Sequence, residues 1–274
     1  MKRDFIFHKV KGAERFLSAL LCLVLMLSML SASLFANASE TPIATLFFAS
    51  DYQDESGDGL TPSTTLTSIL NQAKSDGKNI DHAVFCGDFS YAGSNYTTNV
   101  VANINEVKGI IDTELGTGVH DTYLQGNHDL YDSGLMSPTG AYEYDDYIIY
   151  VINTQGGHNT TGGNPWNQGS TNSKSIVQAA ASDLQSYLNG RITAGDTRPI
   201  FIATHVPLHM TSRTSSLYSS GDNMYSSYLF DVINAAGSSL DIVFLYGHNH
   251  SHGWDSYIGG SSVYLKKRRY HIYT

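Results

Sequence analysis

The chain has 274 residues, with 25 acidic and 16 basic side chains and a formal net charge of −9. This length allows one α/β domain with a sizeable core, and the negative charge argues against a protein that binds along nucleic-acid backbones. Of the two cysteines, Cys22 lies in an N-terminal apolar run, so we expect no disulfide within the folded domain.

The first 38 residues are arranged like a secretory signal peptide. Five basic side chains within 1–15 precede the apolar run 16–36, and Ala36-Asn37-Ala38 fits an A-x-A cleavage site. We therefore predict a signal peptide over 1–38, a secreted protein, and a single domain over 39–274. Removal of three net positive charges would take the net charge from −9 to about −12. The apolar run is also long enough to span a bilayer, so an uncleaved membrane anchor is the alternative.

Beyond this segment, short apolar runs alternate with stretches of helical periodicity. Thr61-Pro62 has the form of a helix start, and Gly77 and Gly190 are expected to follow helix ends. In chain order, we predict strands over 43–49, 81–86, 122–124, 147–153, 199–203 and 241–246, and helices over 62–75, 95–115, 173–188 and 222–236. Strands that alternate with helices indicate βαβ units and a largely parallel sheet. The basic run at 266–269 is compatible with a terminal strand, a frayed end or a truncated chain.

Metal-competent and acid–base side chains follow five of the predicted strands. They are Asp51, Asp88, Gly126-Asn127-His128-Asp129, His205 and Gly247-His248-Asn249-His250. Each group alone is typical of a turn or a cap, but five such groups in order are not. Because ligands of open α/β sheets bind beyond the carboxyl ends of the strands, we expect these side chains to meet at one edge.

The mixture of carboxylate, amide and imidazole groups favours zinc, manganese or iron over calcium. Two such ions about 3.5–4 Å apart can clamp a phosphoryl group and lower the pKa of a bound water. One carboxylate must then bridge the two ions, and Asp88 follows a strand that is central enough for it to do so.

These motifs resemble those of the calcineurin-like metallophosphoesterases. The family signature is D-x-H, GD, GNH-D/E, a later His and GHxH. The order and rough spacing of these motifs match this chain from residue 43 to about residue 252. The resemblance implies a four-layer α/β/β/α sandwich, in which two mixed sheets are flanked by helices. Additional strands at 147–153 and near Val263 would join the two sheets. It also implies a metal-dependent hydrolase of small-molecule phosphate esters.

The resemblance implies a role for each matching residue. One metal would be held by Asp51, Asp88 and His250, and the other by Asp88, Asn127, His205 and His248. His128 would hold the phosphate or protonate the leaving oxygen, and Asp129 would orient the His128 ring. His209 and His252 lie close to the matched motifs and are further candidates for contact with the phosphate.

The departure from the family signature is Gln53, which stands where the first motif has histidine. Purple acid phosphatases in this superfamily lack that histidine and have GDxxY, in which the tyrosine phenolate binds ferric iron. The sequence GDFSY resembles that motif, so Tyr91 is our preferred fourth ligand, with Fe(III) paired with zinc, manganese or Fe(II). In the alternative, Gln53 binds through its amide oxygen, and the metals are a zinc or manganese pair.

The sequence therefore predicts a secreted dinuclear metallophosphoesterase, with a purple acid phosphatase-like monoesterase preferred. A phosphodiesterase or nucleotidase is the alternative within the same superfamily. From a different class, a non-catalytic relative that binds a metal or another ligand is the second alternative. We find no surface in the sequence that suits nucleic acid, and contact with a membrane is expected only if the N-terminal segment is retained.

Overall fold

The computed structural model describes residues 42–52, 62–89, 96–126, 129, 134–153, 171–205, 208, 227–247, 257–258, 261–262 and 270–273. The chain divides into two compact units, Met1–Thr41 and Pro42–Thr274, and every described residue belongs to the second. The expected signal peptide over 1–38 lies outside the described residues. Among the helices that are described, none combines the length and the apolar character of a membrane span.

All six predicted strands and all four predicted helices form, and four further strands accompany them in the described part of the chain. The helices are α1 Pro62–Ser75, α2 Tyr96–Glu114, α3 Thr171–Ala194 and α4 Ser227–Ala236. The strands are β1 Ala44–Ala49, β2 His82–Phe85, β3 His120–Tyr123, β4 Gly140–Glu143, β5 Ile148–Val151, β6 Ile200–Ala203, β7 Ile242–Leu245, β8 Tyr257–Ile258, β9 Ser261–Ser262 and β10 Tyr270–Tyr273.

Two four-stranded sheets hold most of these strands. The first has the order β10-β1-β2-β3, and all of its neighbouring strands are parallel. The second has the order β4-β5-β6-β7, in which β4 is antiparallel to β5 and the other neighbours are parallel. Within each sheet, the parallel strands therefore bring their carboxyl ends to the same edge.

Alternate side chains of the central strands enter different cores, which explains why the strands read as continuous apolar runs. In β2, Val84 lies in the core between the sheets, whereas Phe85 packs in the core formed with α1 and α2. In β6, Phe201 lies between the sheets, and Ile202 packs in the core formed with α3 and α4. The layers are thus helix, sheet, sheet and helix, and the predicted fold class is confirmed.

The ends of two helices show where glycine acts as a stop signal. Helix α1 ends as predicted, because Gly77 has a φ of 69° and Lys78 N donates to Ala73 O, which closes the last turn. Helix α3 was predicted to end at Gly190, and this is wrong. The helix continues to Ala194, and the left-handed residue is Gly195, with a φ of 66°. One glycine inside a helix costs only about 1 kcal/mol, which the buried side chains Leu184 and Leu188 offset by packing.

The outer strands differ from the sequence-based expectation. The strand predicted at 147–153 joins the second sheet as β5. The expectation that a strand near Val263 joins one of the two large sheets is wrong, because β9 pairs with β8 in a separate two-stranded sheet. After the basic run at 266–269, β10 pairs in parallel with β1. The basic run itself lies outside the described residues, so its interpretation stays a prediction.

His82 leads to a prediction about stability at acidic pH. Its ring is fully buried, with Nε2 2.8 Å from Thr122 Oγ1 and Nδ1 3.2 Å from Tyr147 Oη, and burial lowers its pKa to about 3. Between that pKa and the ordinary value of about 6.5, the unfolded chain binds the extra proton. The free energy of unfolding should therefore fall as pH falls through this window, by up to about 1.4 kcal/mol per pH unit.

His82→Gln removes the titrating group and keeps a side chain that can form hydrogen bonds. We expect its free energy of unfolding, measured in urea at several pH values from 4 to 7, to depend less steeply on pH than that of the wild type. Parallel pH profiles for the two proteins would contradict the prediction.

Candidate metal centre

The loops after β1, β2, β6 and β7 are joined at the carboxyl edges of the two sheets. Asp51 N donates to Gly87 O at 2.9 Å, and Gly247 N donates to His205 O at 2.9 Å. One contact between the sheets at these edges is made by His205, whose Nδ1 lies 2.6 Å from Cys86 O. Side chains that are distant in the sequence thereby converge at one place.

Three of the predicted ligands form a cluster there. One ligand atom each from Asp51, Asp88 and His205 lies within 4.8 Å of the other two. Asp88 and His205 are buried, with His205 Nε2 3.3 Å from Asp88 Oδ2, whereas Asp51 is half-buried. Two carboxylates and one imidazole form a donor set that suits zinc, manganese or iron.

The tautomer of His205 follows from its hydrogen bond with Cys86. A backbone carbonyl oxygen can only accept, so the proton of the neutral ring resides on Nδ1. The lone pair is then on Nε2, the nitrogen that faces Asp88. Metal-binding histidines are commonly oriented in this way, with the distal ring nitrogen donating to a carbonyl or a carboxylate.

The electrostatics of the cluster favour a cation. Burial opposes protonation of His205, yet Asp88 and Asp51 together raise its pKa to about 9. Burial, and then repulsion from Asp88, raise the pKa of the neighbouring Asp129 to about 7. Both shifts arise from negative charge concentrated in a site with little solvent, and the same field attracts a metal ion.

Asp51 and Asp88 share an uncommon backbone conformation. Their φ angles are 56° and 57°, in the left-handed region that residues other than glycine rarely adopt, although aspartate tolerates it better than most. Ser50 Oγ donates to Asp51 Oδ2 at 2.5 Å, which holds the first of the two carboxylates. Strained residues of this kind concentrate at functional sites, where the surrounding structure holds them in place.

The glycines of three motifs leave room for the ligands. A Cβ on Gly126 would lie 2.7 Å from Asp88 Cγ, and a Cβ on Gly247 would lie 3.0 Å from Asp51 Oδ2. A Cβ on Gly87 would lie 2.7 Å from Gly126 Cα. The loops therefore approach the two carboxylates more closely than any larger residue would allow, and this cradle, together with the donor set, fits a bound metal.

Gly126→Ala should disrupt the centre without removing a ligand. The added methyl would overlap the backbone and the carboxylate of Asp88, and overpacking of this kind costs about 1–3 kcal/mol. We expect a lower Tm and weaker Mn²⁺ binding by calorimetric titration. Gly118→Ala is the matched control, because a Cβ there has open space and the backbone φ is ordinary. Equal Mn²⁺ affinity in the two variants would contradict the prediction.

The structure thus brings together Asp51, Asp88 and His205, with Asp129 beside them. The remaining candidate residues lie outside the described part of the chain, and these are Gln53, Tyr91, Asn127, His128, His209, His248, His250 and His252. Whether Tyr91 or Gln53 completes the first site therefore stays a prediction. Sequence reasoning missed Ser50, and its position directly before the aspartate at a strand end was the available signal.

Comparison with known proteins identifies the family and a similar fold. The sequence model of the calcineurin-like phosphoesterase family matches residues 56–252. A dimetal phosphatase from Danio rerio has a similar fold, with a TM-score of 0.50 and 14% sequence identity over 76% of this chain and 82% of that chain. No curated protein matches this sequence.

Proposed function

Since this chain belongs to the calcineurin-like phosphoesterase family, and is therefore a phosphoesterase, we propose that it is a dinuclear metal-dependent phosphomonoesterase that acts on small-molecule phosphate esters. The observation that carries the proposal is the cluster of half-buried Asp51 with buried Asp88 and His205, in which His205 Nδ1 lies against the Cys86 carbonyl and Nε2 is directed toward Asp88. That arrangement has the ligands, the charge and the close packing that a metal centre requires.

Each residue of the centre has a proposed task. Asp88 would be shared by two metal ions, and the other ligands would be Asp51 and His250 for one ion and Asn127, His205 and His248 for the other. Metals bound there supply Lewis acidity to the phosphoryl group and lower the pKa of an attacking water. His128 gives a proton to the alcohol oxygen that leaves phosphorus, and Asp129 orients the His128 ring.

For the metals, we propose Fe(III) together with zinc, manganese or Fe(II), with the phenolate of Tyr91 on the ferric ion. We expect the iron-loaded protein to absorb visible light, because a phenolate bound to Fe(III) transfers charge to it. Tyr91→Phe should remove that absorption, whereas Gln53→Ala should retain it. A colourless, fully active zinc or manganese protein would contradict the iron assignment and favour Gln53 as the ligand.

Turnover of model esters tests the proposed activity. The full chain, loaded with Fe³⁺ and Zn²⁺ or with Mn²⁺, should hydrolyse p-nitrophenyl phosphate faster than bis(p-nitrophenyl) phosphate, as measured by kcat/KM at 405 nm for each ester. Faster turnover of the bis ester would favour the phosphodiesterase alternative. If the protein binds metal and hydrolyses neither ester, the non-catalytic alternative is correct.

We also propose that the protein is secreted after cleavage beyond Ala38, because the sequence at 1–38 has the basic, apolar and A-x-A regions of a signal peptide in order. N-terminal sequencing of protein from the culture medium of the expressing cell should begin at residue 39. Recovery of the intact chain from the membrane fraction would favour the anchored alternative.

A further inference from the structure

The carboxylate of Asp129 joins the two loops that follow β2 and β3. Its Oδ1 accepts from Phe89 N at 2.7 Å, and its Oδ2 accepts from Gly126 N at 2.9 Å. The side chain is fully buried, and Gln125 Nε2 donates to the Asp129 carbonyl oxygen. Each of the two carboxylate oxygens is thus engaged by a backbone group that stands next to a proposed metal ligand, Asp88 or Asn127.

The two loops pack closely against each other, so a small change in their separation would displace Asp88. Gly126 packs directly on Asp88, whose backbone is held at a φ of 57°. The Phe89 ring is buried against Phe85 and Tyr123, and Asn103 Nδ2 donates to Phe89 O, which secures the first loop from its other side. Hydrogen bonds that a buried carboxylate accepts from backbone N–H groups are shorter and stronger than those between neutral groups.

We propose that Asp129 is a positioning residue for the metal ligand Asp88. By holding Phe89 N and Gly126 N on one carboxylate, it fixes the separation of the two loops and the backbone from which Asp88 reaches the centre. This role is distinct from orientation of the His128 ring, and it rests on the proposed metal centre. A residue that acts only through His128 affects turnover, whereas a residue that places Asp88 affects metal affinity.

The experiment measures the affinity for Mn²⁺ of the metal-free full chain by calorimetric titration, and compares the wild type with the Asp129 variants. Replacement of groups that hold metal ligands in place typically weakens binding about 10- to 100-fold, so we expect an effect of that size for Asp129→Ala and Asp129→Asn. The asparagine variant keeps the size of the side chain but places an N–H donor against one of the two backbone donors. Asp129→Asn therefore tests whether Asp129 contributes to Mn²⁺ affinity even if Asp129→Ala does not fold.

Two further variants separate positioning from other roles. We expect His128→Ala to bind Mn²⁺ like the wild type, and Asp129→Asn to weaken binding by the same factor in the wild type and in the His128→Ala background. Val107→Ala removes buried volume from the core beside α2, so it should lower Tm without changing Mn²⁺ affinity.

The proposal is overturned if the Asp129 variants bind Mn²⁺ like the wild type while kcat falls as in His128→Ala, because Asp129 would then act through His128 alone. It is also overturned if Val107→Ala weakens binding as much as Asp129→Asn does. Failure of the proposed function has a different signature, in which the wild type itself binds no Mn²⁺ or hydrolyses neither test ester.

Discussion

Replacement of Asp88 by alanine is expected to remove both metals and nearly all phosphoesterase activity. Asp88 is fully buried, its Oδ2 lies 3.3 Å from His205 Nε2, and it belongs to the cluster with Asp51 and His205. As the carboxylate proposed to be shared, it contributes to both sites, so no remaining ligand can compensate for its loss. Metal catalysis contributes several kcal/mol, and we therefore expect kcat/KM to fall at least about 10³-fold. Elemental analysis and turnover of p-nitrophenyl phosphate measure the two effects.

Asp183→Ala, at an exposed position on α3, is the matched control and should retain metal and activity. Asp88→Asn adds a second comparison, because it keeps one oxygen in place but loses the charge, and it should bind less metal than the wild type. Wild-type turnover by Asp88→Ala would exclude the proposed metal centre. Retention of one equivalent of metal would show that Asp88 is not shared between the two ions.

His128→Ala is expected to keep both metals and to lower kcat about 10²- to 10⁴-fold, the range typical of a general acid. The size of the effect should depend on the leaving group. Nitrophenolate leaves with little protonation, whereas an alkoxide requires a proton as the bond to phosphorus breaks. We therefore expect a larger loss with glycerol phosphate than with p-nitrophenyl phosphate, as measured by kcat for both substrates.

The control for this variant is His120→Ala, which removes an exposed histidine from the opposite end of β3 and should have wild-type kcat. If the loss were equal for the two substrates, His128 would hold the phosphate rather than protonate the leaving oxygen. If metal were lost as well, His128 would be a metal ligand.

The strands and the positions of the proposed ligands were predictable from the sequence because both depend on local order. A run such as IFIA has no alternation of polar and apolar residues, since each of its two faces packs in a core, and that pattern is visible without coordinates. Asp51, Asp88 and His205 each lie within three residues of the end of such a run. The carboxyl ends of parallel strands share an edge, so the convergence of these residues could be expected.

Pairings between distant segments could not be predicted in this way. Strand β4 is short and only partly buried, so its sequence GAYE carries little signal. Strand β10 pairs with β1 although more than 200 residues separate them, and β9 pairs with β8 rather than with either large sheet. The pairing of strands is decided by the packing of the whole domain, and the local sequence pattern carries no information about it.

By itself, the sequence determined the kinds of side chain proposed as ligands, their order and their places after the strands, because each of these depends on residues that are neighbours in the chain. Only the tertiary structure decided how those ligands are held. The His205 tautomer depends on a carbonyl 119 positions away, and the Asp129 carboxylate is held by a backbone group 40 positions away. Such contacts exist only after the sheets have packed together, because hydrogen-bond geometry is set by distance in space rather than along the chain.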